Sequence, residues 1–160
     1  MSDRAREVIA LTIALLLCYG AAAAGGMFSA GADGGWYSDL AKPSWTPPSW
    51  VFGPVWTALY GMMAVAVWLV WLHRRQQPGD SPMVLFAVQL ALNAAWSPLF
   101  FGLHRPGAAF ADIVLLWLVL VATVWLFLRR SAIAGLLLVP YLLWVSFAAA
   151  LNFAIWRLNA

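Results

Sequence analysis

Five stretches of this chain are each long and apolar enough to cross a hydrocarbon core as a helix, and between them they consume nearly all of it. They fall near residues 8–28, 50–72, 83–103, 108–128 and 133–156, and a helical span needs about 20 residues. None alternates polar and apolar positions with the period of a strand, so these are helices rather than the staves of a barrel. Composition agrees: 64% of the 160 residues are hydrophobic and 9% charged, where a soluble domain carries roughly a quarter charged. There is too little polar surface to coat a water-soluble globule. The sequence therefore specifies an all-α integral membrane protein, a bundle of five transmembrane helices forming one domain over 1–160, with no room for a soluble domain.

The charges report topology. Arg4, Arg6, Arg74, Arg75, Arg129 and Arg130 fall on the side of the N-terminus, while Lys42, Arg105 and Arg157 fall on the other. The excess places the N-terminus inside and the first loop outside. Basic residues at helix ends do not form the clustered face that a nucleic acid requires. Arg4 and Arg6 before an apolar run, with alanines at 21–24, mimic a secretory leader, but the run continues to Phe28 and reads as a retained helix. Cys18 is the single cysteine, so no internal disulfide forms.

The first loop, 29–49, is the least expected segment. From Trp36 to Trp50 the chain reads WYSDLAKPSWTPPSW, with three tryptophans and three prolines. Prolines lower the entropy lost on ordering a segment, and indoles offer broad apolar faces with one donor each. This is a fitting composition for a stiff aromatic lid over a membrane pocket. An interfacial aromatic belt accounts for Trp50, Trp68, Trp71 and Trp156. It accounts less well for Trp36 and Trp45, because a belt has no need of prolines.

Polar and aromatic side chains within the spans point to the same place. Gln89, Asn93, Trp96 and Ser97 recur on one face of the third helix, and Tyr141, Trp144, Ala148 and Asn152 on one face of the fifth. Trp56 and Tyr60 are a turn apart on the second. At 1.5 Å per residue, Trp56 lies about 9 Å below the outer end of its helix, and Asn93, Trp96 and Ala148 roughly 15, 10 and 12 Å below theirs. All share the half of the bilayer beneath the loop. Plainer roles compete: Gln89 and Asn93 as interhelical hydrogen-bonding glue, and Asp112, the only acid within a span, as a helix N-terminal anion. His73 and His104 sit at span ends as interfacial side chains, without partners at metal-ligand spacing. The small residues of GAAAAGG, 20–26, suit close helix contact within the bundle or across a dimer. No Ser/His/Asp set, paired carboxylates or metal-ligand cluster is present, so no catalytic or metal residue is assigned.

Three segments carry a resemblance: WYSDLAKPSWTPPSWVFGPVWTALY, QLALNAAWSPLFFG and PYLLWVSFAAALNFAIWRLN. Through them the chain, from Gly25 to Asn159, resembles the TspO family, the tryptophan-rich sensory proteins related to the mitochondrial translocator protein (peripheral benzodiazepine receptor). The resemblance implies a five-helix bundle, commonly a homodimer, in a bacterial-type membrane, with a pocket beneath the first loop. It implies tetrapyrrole ligands (protoporphyrin IX, haem), sterols, and isoquinoline or benzodiazepine drugs. No cofactor is required, since the porphyrin or haem is a ligand. The implied pocket comprises Trp36, Tyr37, Trp56, Tyr60, Asn93, Trp96, Trp144 and Ala148. Receptor or sensor is the leading expectation, transport of porphyrins or sterols the alternative, and light-dependent porphyrin breakdown an activity associated with some members. The family's sterol-recognition stretch places a tyrosine where this chain has Phe153, which weakens the expectation of a sterol ligand.

Overall fold

The computed structural model describes residues 2–29, 35–73 and 81–160. Arg74, Arg75 and the first residues of the expected loop, 30–34, lie outside the described residues. Within the described residues the chain forms α1 (Asp3–Ser29), α2 (Trp36–Asp39), α3 (Phe52–Leu72), α4 (Ser81–Ser97), α5 (Pro106–Arg130) and α6 (Ala132–Leu158). A 3₁₀ turn, Ser49–Val51, leads into α3, and a π-helical turn, Pro98–Gly102, extends α4. Five of these helices are long and apolar enough to span a membrane, as the apolar runs require. The chain is a multi-pass integral membrane protein.

Helix boundaries follow local chemistry. Proline stands in the first turn of α4 and α5, where its missing N–H costs nothing. α5 and α6 share one connecting residue. Ser131 is extended (φ −156°, ψ 118°) and ends α5, then caps α6 by accepting from Ala134 N at 3.4 Å. So tight a hairpin brings Gly135 against the backbone of α5, where a Cβ would lie 2.7 Å from Leu128 N. Only glycine fits there.

Pro98 explains the π turn. Its ring would collide with the carbonyl one turn back, and it has no N–H to donate. The register therefore widens: Leu103 N donates to Pro98 O at 2.8 Å, five residues back. His104 then closes the segment in the left-handed region at φ 52°, a conformation histidine tolerates better than bulkier residues. The extra residue per turn rotates Phe100 and Phe101 inward.

The core runs along the bundle axis and is built from Met63, Ala64, Leu120, Phe127, Leu138, Tyr141 and Val145 among others, all sealed from solvent. Phe86 and Phe127 stack at 6.0 Å across α4 and α5. A smaller cluster, Phe100, Ala109, Leu151 and Ile155, gathers beneath α2. The two clusters meet at Trp96.

Candidate functional site: an aromatic cavity beneath the first loop

At the α2 end of the bundle the helices separate around a cavity of about 690 Å³, within the usual size of small-molecule pockets, roughly 300–1,000 Å³. Its walls come from α1, α3, α4 with its π turn, α5 and α6, and its roof from residues of the 37–49 segment. Among the described lining residues Lys42 alone carries a formal charge. A ligand that fills this space is therefore mostly apolar, with any anionic part near the roof.

The structure gathers seven of the eight expected residues around this cavity: Tyr37, Trp56, Tyr60, Asn93, Trp96, Trp144 and Ala148. Trp36 lies behind the wall. Its indole stacks on the His104 imidazole at 4.4 Å and meets the edge of Phe100 at 5.8 Å. Phe100, brought inward by the π turn, occupies the lining position. The π turn also supplies Phe101, and α1 supplies Tyr19 and Gly25; none was anticipated. Proline at 98 was a visible cue for the first. Nothing in the uniformly apolar first run marked Tyr19.

The floor is a hydrogen-bonded ladder. Tyr60 Oη donates to Asn93 Oδ1, Asn93 Nδ2 donates to Tyr141 Oη at 2.8 Å, and Tyr141 Oη donates to Gln89 Oε1 at 2.9 Å. The ladder joins α3, α4 and α6 at one level and fixes the orientation of the Asn93 amide. Beside it, Trp96 Nε1 donates to Asn152 Oδ1 at 2.9 Å, and Asn152 Nδ2 donates to Pro106 O at 2.8 Å. Asn93 and Gln89 thus act as interhelical ties, and Asn93 also faces the cavity. Trp144 differs from Trp96. Its Nε1 is buried and has no hydrogen-bond partner among the described residues.

The roof is docked rather than loose. Ala41 N donates to Asn159 Oδ1 at 2.9 Å, and Asn159 Nδ2 donates to Ala41 O at 2.9 Å. Lys42 Nζ donates to Ser38 O at 3.1 Å and Leu40 O at 3.2 Å while lying 4.6 Å from the centre of the Tyr37 ring. Trp45 packs edge-on against Phe147, and Phe52 against Trp144. The short α2 within it was expected as loop. Four residues carry no periodicity that a sequence could display.

Other candidates lie elsewhere. Asp112 is the seventh residue of α5, past the first turn where the helix dipole acts, and its Oδ2 is buried without a partner. Arg105 is exposed outside the cavity. Phe153 packs on Phe110 at 5.1 Å and lines a separate groove on the exterior of α5 and α6, away from the cavity.

A multi-pass helical membrane protein with an aromatic-walled cavity under a docked loop is the class that this fold and site define. The TspO/MBR family model matches residues 13–157, and the chain belongs to that family. It is 46% identical to the tryptophan-rich protein TspO of Chlorobaculum tepidum over 96% of this chain and 98% of that one. It is 44% identical to protein CrtK of Rhodobacter capsulatus, covering 89% and 88%. It is also 44% identical to the translocator protein of Homo sapiens, covering 78% and 75%.

Proposed function

We propose that the protein is a membrane receptor or sensor that binds tetrapyrroles such as protoporphyrin IX or haem in this cavity. One observation carries the reading: a cavity of about 690 Å³ walled by the rings of Tyr37, Trp56, Tyr60, Trp96, Phe100 and Trp144. Flat aromatic faces stack on a flat aromatic macrocycle. The tetrapyrrole carboxylates belong beside Lys42, the cation at the roof. Relatives bearing the names tryptophan-rich sensory protein and translocator protein support sensing and transport respectively. Phe153, which stands where the family's sterol-recognition stretch has a tyrosine, lines the exterior groove and not this cavity.

The test is titration of the protein in nanodiscs with protoporphyrin IX, followed by tryptophan fluorescence. Binding in the micromolar range quenches the emission. Trp56→Phe combined with Trp144→Phe weakens both affinity and quenching; if neither changes, the ligand does not occupy this cavity.

Transport is the second reading, favoured by the translocator name shared by relatives at 44% identity. Uptake of protoporphyrin into sealed vesicles, rising with the amount of protein and dependent on a gradient, separates it from binding alone.

A further inference from the structure

The cavity wall between α1 and α3 changes character along the bundle. Far from α2 the two helices touch closely. Trp68 Nε1 donates to Glu7 O at 3.0 Å, Tyr19 Oη donates to Thr57 O at 3.1 Å, and a Cβ at Gly61 would lie 3.0 Å from the Tyr19 hydroxyl. Beyond Tyr19, α1 leans toward α4 instead. A Cβ at Gly25 would stand 3.2 Å from Ser97 Oγ, and one at Gly102 would stand 3.0 Å from the Phe28 ring. On the α3 side of this stretch the described residues leave a gap. Gly26 and Gly53 both line the cavity and both are exposed. Among the described residues, no atom lies within 4 Å of a Cβ built on either. Tyr19 forms the lower lip: it lines the cavity and yet exposes 40% of its surface.

We propose that this cleft between α1 and α3 is a lateral doorway, through which flat lipophilic ligands pass between the bilayer and the cavity. The proposal rests on the reading of the cavity as a tetrapyrrole site. From Tyr19 to the end of α1 is about 15 Å of helix rise, so the cleft opens onto the hydrocarbon and its interface. A ligand sparingly soluble in water concentrates in that phase. Access through the roof would require undoing the Asn159–Ala41 pair, the Lys42 hydrogen bonds and the Trp45 contact. Access through the cleft crosses two glycines, and a single hydrogen bond, Tyr19 to Thr57, limits its width.

The test is stopped-flow quenching by protoporphyrin IX in nanodiscs, comparing the unaltered protein with Gly26→Phe and with Thr57→Phe, each placing a ring in the cleft from one side. Gly20→Phe is the control, because Gly20 is exposed on the same helix, has nothing within 4 Å of a Cβ and lies off the cavity. The doorway requires association and dissociation to slow together, by tenfold or more, in both variants and not in the control. Dissociation that accelerates while association holds would mean that the rings merely crowd the bound ligand, and overturns the doorway. Unchanged rates in variants that still bind overturn it as well, leaving the tetrapyrrole reading intact. Absence of quenching in the unaltered protein removes that reading and the doorway with it.

Discussion

Tyr141 has no solvent-exposed surface, yet its hydroxyl both accepts from Asn93 and donates to Gln89. Removing that oxygen leaves the Asn93 amide and the Gln89 carbonyl unpaired, beside a Gln89 Nε2 that already has no partner. Stranding buried polar groups costs about 1–3 kcal/mol, although hydrogen bonds between membrane helices average nearer 0.6 kcal/mol. Tyr141→Phe should therefore lower the unfolding midpoint in detergent, and an unchanged midpoint would mean the ladder contributes nothing to stability. Ala148 tests the opposite limit. It lines the cavity one turn from Trp144, so Ala148→Phe should project into ligand space and weaken protoporphyrin binding by about 1–3 kcal/mol, the scale of overpacking a close-fitting site. Equal affinity in a folded variant would place the ligand elsewhere. At this scale the sequence was informative wherever helical spacing put unusual side chains on one face, as for Asn93 with Trp96 and Trp144 with Ala148. It put Trp36 in the pocket lining, whereas the structure stacks that indole on His104 behind the wall, a partner that only the π turn brings within reach.

Among the elements, the roof segment depends on a residue more than a hundred positions away. Asn159 holds the Ala41 peptide by two reciprocal hydrogen bonds and donates to Ile155 O at 2.8 Å. At 0.5–1.5 kcal/mol each, the two reciprocal bonds contribute roughly 1–3 kcal/mol to docking. Asn159→Ala should raise deuterium uptake in the 41–50 segment while leaving the transmembrane helices protected; equal uptake would show that the prolines and Trp45 suffice. The α5–α6 hairpin gives a harder test. Gly135→Ala forces a Cβ to 2.7 Å from Leu128 N, and relief requires the two helices to move apart at their joint. The expected loss is about 1–3 kcal/mol of stability, read as a lower unfolding midpoint. Neither dependence was legible in the sequence. Asn159 follows the last apolar run, and Gly135 sits within one, so each takes its meaning from a neighbour in space. The helices themselves were legible because membrane thickness sets their length, and, with the π turn counted in the third span, the observed boundaries differ from the apolar runs by at most five residues.

For the molecule as a whole, the medium and the cavity were legible together: apolar runs define the spans, and the residues that break their uniformity face one another. Among the described residues no group of three or more His, Cys, Asp or Glu could hold a metal ion, and the cavity lining contains no carboxylate. Chemistry on a bound porphyrin would therefore draw on the excited ligand and nearby indoles. If porphyrin is lost from the complex, the loss should need light and oxygen together, stop in the dark, and slow more in Trp144→Phe than binding weakens. Dark, anaerobic turnover at the same rate would require a catalytic group of another kind. The cleft between α1 and α3 carries a consequence for how such a protein is to be measured. A site that fills from the bilayer loads at a rate set by the mole fraction of ligand dissolved in lipid, while its equilibrium occupancy follows the one chemical potential that lipid and buffer share. Diluting the same ligand into more lipid should shift the apparent aqueous affinity without any change in the protein, and a detergent or acyl chain small enough to enter becomes a competitor. For this fold the surrounding membrane acts as the reservoir, so binding constants become comparable only when lipid is counted as a reactant.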